Sequence, residues 1–96
     1  SVPELPGLDN YIAQGCVPGG TARNIDAAGK RLPTLPKREE SILCDPQTSG
    51  GLLISVTEQA LPTVKRLLIE NGLPSSTIGV LSEAGGPTPQ ILLSST

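Results

Sequence analysis

The chain has no histidine, phenylalanine, tryptophan or methionine among its 96 residues, and Tyr11 is its one aromatic residue. Without histidine it cannot form a Ser-His-Asp triad, and it lacks the commonest general base at neutral pH. Without large aromatics its core must come from Leu, Ile, Val and Ala, which bury less area per side chain. Any catalysis would therefore need carboxylates, phosphate handling or residues outside this chain.

Basic clusters and aromatic stacking surfaces are also missing. The net charge is −2, whereas nucleic-acid-binding domains carry basic patches and stacking aromatics. Apolar runs are only a few residues long, and the N-terminal "SVPELPGLDN" lacks the basic start and apolar stretch of a signal peptide. We therefore expect no nucleic-acid partner, no membrane segment and a cytoplasmic location.

The two cysteines, Cys16 and Cys44, are far apart in the sequence, and no histidine is present to complete a metal site with them. Free cysteines are usually buried as small apolar residues, and we interpret both in that way. The sequence leaves open whether the two cysteines form a disulfide. We predict no metal site in the chain.

Two short helices are predicted in the first third of the chain. The first begins near Leu8, with Asp9 as its N-cap and Gly15 as its C-terminal stop. The second opens at Thr21 as a capping residue and is interrupted at Gly29. The length of the chain is that of one ordinary domain.

A connection and a third helix follow. Residues 32–41 contain two prolines and a mixed charged run, so we predict a surface connection with solvated charges. The segment "EQALPTVKRLLIENG" carries an apolar stripe, with Thr57 as its cap and Gly72 at its end. Because an internal proline removes a helical hydrogen bond, the regular helix should begin close to Pro62.

Three apolar segments, residues 51–56, 76–82 and 90–95, predict β-strands. The strand–helix–strand order favours a parallel crossover, and a hairpin adds an antiparallel strand. The predicted fold class is therefore α+β, a mixed β-sheet with helices packed on it. We divide this single domain into a helical and loop segment, residues 1–44, and a strand–helix–strand–strand unit, residues 45–96.

The first glycine-rich loop is "CVPGGTARN". Gly19 and Gly20 permit positive φ angles, and several backbone N–H groups could converge on an anion at the start of a helix. A Pro-Gly turn between two helices explains the same residues, and the residues alone favour the turn. Neither a P-loop nor a dinucleotide fingerprint is present.

The second loop, "DPQTSGG", precedes the most apolar run in the chain. Its polar side chains could bind a metal, a water or a phosphate oxygen, and its glycines would let a ligand approach the backbone. A loop that opens a strand has no helix dipole behind it, so the residues alone favour a tight turn here as well.

Taken together, "GCVPGGTARN" and "LCDPQTSGGLLISV" closely resemble the C-terminal part of the selenophosphate synthetase (selenide, water dikinase) family. The second stretch is the more specific, and the downstream helix and "IGVL" fit in order. The resemblance runs from Leu8 to the last predicted strand. It implies a partial C-terminal domain of the aminoimidazole ribonucleotide synthetase type, a superfamily of ATP-dependent enzymes.

The resemblance also implies an activity for the complete enzyme, which converts ATP, selenide and water into selenophosphate, AMP and phosphate with Mg²⁺. It implies a homodimer and an N-terminal ATP-binding domain. The reactive Cys or selenocysteine of that domain, its nearby lysine and its metal-holding aspartates have no counterpart in this chain. We therefore assign no catalytic residue here, and we expect this segment alone to be inactive and to bind neither ATP nor Mg²⁺.

Nine residues of the two loops are candidates, by the same resemblance, for lining the face that closes over the nucleotide's phosphates: Gly19, Gly20, Thr21, Asn24, Asp45, Gln47, Thr48, Ser49 and Gly50. Two alternatives stay open. One is a related synthetase or kinase of the superfamily, against which "DPQTSGG" argues because the relatives differ there. The other is a non-catalytic scaffold or dimerisation domain of the same fold.

Overall fold

Short helices make up the regular structure of residues 2–94, which are the residues that the computed structural model describes. These elements are α1 (Leu8–Ala13), α2 (Gly20–Ala28) with a 3₁₀ turn after it (Gly29–Arg31), α3 (Lys37–Leu43) and α4 (Leu61–Glu70). No helix in this described range is long and apolar enough to cross a membrane.

The chain divides into two compact units. The α4 unit comprises Ser49–Leu81 with the N-terminal residues up to Pro3, and the helical unit comprises Glu4–Thr48 with the C-terminal residues from Ser82. Helices α1, α2 and α3 therefore belong to the helical unit. Within it, α3 packs against both α1 and α2.

Glycines end the first two helices, as the sequence predicts. Gly15 follows α1 with a φ of 77°, and Gly29 follows α2 with a φ of 53°, a left-handed region that glycine enters without steric cost. The predicted side-chain caps at Asp9 and Thr21 are wrong, because each residue lies at the second position of its helix and neither N-terminus has a side-chain cap. Gly7, not Asp9, precedes α1.

Helix α3 occupies the second half of the segment that the sequence predicted to be a surface connection, and that prediction is wrong from Lys37 onward. Pro36 stands immediately before the helix, where a proline interferes with no helical hydrogen bond. Glu39 and Glu40 lie in the first turn, where acidic side chains interact favourably with the helix dipole. Pro36 thus marks the start of a helix.

Few side chains are buried in the described part of the chain. The buried apolar residues are Leu35 and Cys44, and the buried polar side chains are those of Thr21 and Ser41. The Ser41 hydroxyl donates to the Lys37 carbonyl one turn earlier, at 2.9 Å, so it is satisfied within α3. The core of the helical unit is therefore small and lies along α3.

Arg38 links α3 to the start of the helical unit. Its Nη1 and Nη2 donate to the two carboxylate oxygens of Glu4, at 3.3 and 2.7 Å, and its Nε donates to Asp9. The two-pronged contact with Glu4 is the geometry that makes Arg–carboxylate pairs specific. The hydrogen bond from Arg38 holds the pKa of Asp9 below its ordinary value, and the two carboxylates raise the pKa of Arg38.

Gly20, the first residue of α2, lies directly against Pro46 in the second loop. A Cβ atom built on Gly20 would stand 2.8 Å from Pro46 Cγ and 3.0 Å from Pro46 Cβ, closer than real contacts allow. Gly19 has a φ of −62°, and neither it nor Gly20 is among the glycines with positive φ. The predicted reason for these two glycines is therefore wrong: Gly20 provides space for Pro46.

Helix α4 forms in the predicted segment, but its N-cap is Ala60 and not the predicted Thr57, and its N-terminus has no side-chain cap. The hydroxyl and the carbonyl of Thr57 accept hydrogen bonds from the Ala60 N–H at 3.3 and 3.1 Å, which closes a turn before the helix. Pro62 lies in the first turn of α4, where its missing N–H leaves no bond unmade. The prediction that the regular helix begins close to Pro62 is confirmed.

The predicted β-sheet is absent: residues 2–94 contain no strand, so the α+β class is wrong for this part of the chain. The three segments expected to form it are instead irregular and exposed. Leu52, Val80 and Leu92, one from each segment, keep 90%, 89% and 85% of their surface in solvent. Ser95, in the third predicted strand, lies outside the described residues.

An apolar pattern favours extended backbone, but a strand exists only when a partner meets its N–H and C=O groups. In the helical unit the Ile91 N–H donates to the Arg31 carbonyl at 2.8 Å. A single backbone bond of this kind does not make a ladder. The strand predictions failed because an apolar pattern in one segment does not show whether a second segment pairs with it.

Substitution of Arg38 by Gln is expected to raise the pKa of Asp9 toward its ordinary value. A carboxyl group whose pKa is lowered in the folded state stabilises the fold at pH values above the ordinary carboxyl pKa. This stabilisation is lost as the pH falls through the folded-state pKa. The unfolding free energy of Arg38→Gln should therefore fall less between neutral and acid pH than that of the parent. Titration of the Asp9 carboxyl carbon by NMR measures the pKa directly.

Arg66→Gln is the matched control, because Arg66 pairs with Glu70 in α4 at 3.1 Å and makes no contact with Asp9. It should leave the Asp9 titration unchanged. If the Asp9 pKa were the same in Arg38→Gln and in the parent, Arg38 would not be the cause of the lowered Asp9 pKa.

Substitution of Gly20 by Ala is expected to lower the free energy of unfolding by about 1–3 kcal/mol, the usual cost of overpacking a filled site. Gly19→Ala is the control, because a Cβ there meets nothing within 4 Å and the backbone is right-handed. It should change stability by less than about 1 kcal/mol. Equal effects of the two variants in thermal or denaturant unfolding would count against the Gly20–Pro46 contact.

Candidate functional site

Two of the predicted site regions come together in the helical unit. Pro46 touches Gly20 at the start of α2, and the Asn24 side chain, one turn further along α2, reaches the backbone of Cys44. Asp45 lies between these two points of attachment. The structure thus places the start of the second loop against the first loop, across more than 20 residues of sequence.

Thr21 is 4% exposed, and its hydroxyl has no hydrogen-bond partner among residues 2–94. Its backbone N–H donates to the Pro18 carbonyl at 3.1 Å, which closes the turn into α2. A buried hydroxyl without a partner costs about 1–3 kcal/mol. Thr21 is the second residue of α2, so this unsatisfied hydroxyl lies in the first turn of the helix.

Arg23 adds a positive charge at the same end of α2. Its Nη2 lies 3.4 Å from the position that a Cβ of Gly20 would occupy, beside Pro46. The helix dipole already makes this end electropositive, so a cation here is favourable only with an anion close by. The electrostatics of the α2 N-terminus therefore favour a negatively charged ligand.

Asn24 has a structural partner. Its Nδ2 donates to the Cys44 carbonyl at 2.8 Å in a partly buried hydrogen bond. Cys44 is the C-cap residue of α3, and carbonyls at a helix C-terminus have no partner inside their own helix. From the sequence, Asn24 was a candidate for the phosphate face, and its partner Cys44 was not predicted. The sequence did carry a signal for such a partner, because Asn is unfavourable in a helix interior unless its side chain has a specific partner.

The second loop divides between the two units. Asp45, Gln47 and Thr48 belong to the helical unit, whereas Ser49 and Gly50 belong to the α4 unit. The Gln47 N–H donates to the Asp45 carbonyl at 3.0 Å, so the loop starts with a tight three-residue turn. Asp45 is half-buried and the other four residues are exposed. The tight turn favoured from the sequence is present, but no strand follows it.

Metal binding has no support at these loops. In the described part of the chain, no three His, Cys, Asp or Glu side chains come close enough to hold a metal ion. Cys16 is exposed, Cys44 is buried, and both thiols are free. The open possibility of a disulfide between them is therefore not realised, and the prediction that both cysteines are buried is wrong for Cys16.

A cavity of about 470 Å³ lies in the C-terminal part of the helical unit and shares no residue with the two loops. Its walls come from one irregular segment: Gly85, Gly86, Pro87, Thr88, Gln90 and Leu92. None of these side chains titrates or acts as a strong nucleophile. The lining of this cavity therefore offers no group for acid–base or nucleophilic chemistry.

Comparison with known proteins identifies relatives for nearly the whole chain. It is 46% identical over 91 residues to a selenide, water dikinase of Cronobacter sakazakii, an alignment that covers 95% of this chain and 26% of the relative. It is 47% identical over 90 residues to the same-named protein of Enterobacter sp., covering 94% and 26%. A shorter stretch of 60 residues is 62% identical to the Photobacterium profundum protein, covering 62% and 17%.

No protein-family model and no solved structure matches the chain. The chain spans about a quarter of the length of the first two of these relatives, and the region that it matches is their C-terminal part. The resemblance that rested on the two glycine-rich stretches is thereby confirmed. The chain belongs to the selenophosphate synthetase (selenide, water dikinase) family, as a segment of its C-terminal part.

Proposed function

We propose that this segment completes the C-terminal domain of an ATP-dependent selenophosphate synthetase and that its paired loops close over the phosphates of the nucleotide. In the complete enzyme, ATP, selenide and water would give selenophosphate, AMP and phosphate. The observation that supports the proposal is the attachment of the start of the second loop to α2, through the packing of Pro46 on Gly20 and the hydrogen bond from Asn24 to the Cys44 carbonyl.

Phosphate oxygens suit the residues at this place better than a metal ion does. The Thr21 hydroxyl has no partner in the described range, Arg23 lies beside Gly20, and a helix N-terminus attracts anions. Mg²⁺ is held mainly by carboxylates, phosphates and water, and no three His, Cys, Asp or Glu side chains come together among the described residues. We assign Mg²⁺ and the main ATP contacts to the N-terminal ATP-binding domain of the complete enzyme.

The nine candidate residues then divide by their surroundings. Gly20 gives room for Pro46 and Asn24 holds Cys44, so both act on the loop. The exposed hydroxyls of Thr48 and Ser49 are the side chains that we propose to meet the phosphates. Gly19, Thr21, Asp45, Gln47 and Gly50 complete the proposed face.

Activity is proposed for the complete enzyme, acting as a homodimer, and not for this segment alone. The chain has no histidine, and neither free thiol lies in a sequence like that around the reactive Cys or selenocysteine of the family. Phosphoryl transfer depends on positioning and charge neutralisation around the transferred group. A segment that supplies only one face of that site cannot carry the reaction by itself.

Replacing Thr48 and Ser49 together by Ala in the full-length protein is expected to lower kcat by about tenfold or more, because hydroxyls aimed at developing charge would be lost. AMP formation and selenophosphate yield from ATP and selenide measure the effect. The control pair is Ser75→Ala with Ser76→Ala, two adjacent serines outside the loops. Unchanged AMP formation and selenophosphate yield in the Thr48/Ser49 variant would remove the proposal.

A further inference from the structure

Asn24 makes a hydrogen bond of a different kind from the other side-chain-to-backbone bonds in the described part of the chain. Its bond to the Cys44 carbonyl spans 20 residues, whereas those of Ser41, Thr57 and Asn71 span three or four. The shorter bonds stabilise single turns. The Asn24 bond is the one among them that joins two distant segments.

The position of Asn24 on α2 gives this bond a direct effect on the second loop. Gly20 and Asn24 are four residues apart in α2, so they share a face of the helix. Gly20 touches Pro46, and Asn24 binds the Cys44 carbonyl. Two contacts from one helix face thus bracket Asp45 and set the direction in which the chain leaves α3.

The two contacts constrain the loop in different ways. The packing of Pro46 on Gly20 excludes other positions but has no directional preference. The Asn24 bond is directional, because an amide N–H must point at the carbonyl oxygen that accepts it. It is also partly buried, so water competes less with it than at an exposed site.

We infer that Asn24 is a positioning residue, which aims the 45–48 segment at the phosphates through the Cys44 carbonyl and does not bind them itself. This inference rests on the proposed function of the loop. It assigns to Asn24 a role distinct from that of Thr48 and Ser49, although all three belong to the same candidate face.

Asn24→Asp in the full-length protein tests this role. Asp has nearly the same shape as Asn, but its carboxylate has no N–H to donate and would face the Cys44 carbonyl oxygen. We expect kcat for AMP formation to fall by about 10- to 100-fold, the effect of a misplaced positioning group. Asn24→Gln keeps the amide donor on a longer side chain and should recover part of the lost rate.

Asn71→Asp is the matched control. The Asn71 Nδ2 also donates to a backbone carbonyl at 2.8 Å, that of Leu67, but this bond stays within one turn at the end of α4. The chemical change is the same, and we expect the kcat of the parent. Rates are compared at a temperature at which circular dichroism shows each variant to be folded, and Asn24→Ala replaces Asn24→Asp if the latter does not fold.

A double-mutant cycle separates positioning from direct binding. If Asn24 acts through the 45–48 segment, then adding Asn24→Asp to Thr48→Ala should lower kcat little further, because both changes disable the same segment. Rate losses that multiply would mean that Asn24 acts on the ligand independently, and they would overturn the inference.

The remaining outcomes separate the inference from the proposed function. A folded Asn24→Asp variant with the kcat of the parent, beside a slow Thr48/Ser49 variant, overturns the positioning role and leaves the proposed function standing. If both variants keep the kcat of the parent, the positioning role and the proposed function are both overturned. A lowered melting temperature with unchanged kcat would show that the Asn24 bond is merely structural, which also contradicts the inference.

Discussion

The close approach of Pro46 to Gly20 is the contact on which the arrangement of the two loops depends. A side chain at position 20 would meet the proline ring at 2.8 Å, so the contact exists only because glycine stands there. The proline ring has few ways to move aside, since its φ is held by the ring itself. Once Pro46 is seated, Cys44 lies within reach of Asn24, and the hydrogen bond completes the attachment.

Local signals in the sequence predicted the local features of the fold. Gly15 and Gly29 end their helices because their left-handed backbone depends on neighbouring residues alone. Pro62 marks the start of α4 for the same reason. The helix α3 was missed because Pro36 was read as breaking a helix rather than preceding one, a distinction that needs the orientation of the residues after it.

Features that depend on distant partners could not be predicted in the same way. Residues 51–56 have the composition of a buried strand, but a strand is a relation between two segments, and no segment in the described range pairs with them. The candidate site shows the same limit. Its two loops were found from their residues and their resemblance to a family, whereas the space at Gly20 and the partner of Asn24 depend on contacts 20 or more residues away.

The small core raises the importance of such individual contacts. In a domain with many buried side chains, the packing of a whole element holds each loop, and one hydrogen bond of about 1 kcal/mol changes little. In the described part of this chain the buried apolar residues are Leu35 and Cys44. Cys44 is also the residue whose carbonyl accepts the bond from Asn24. The same residue therefore anchors α3 in the core and the second loop on α2, so a shift of α3 would move the loop with it.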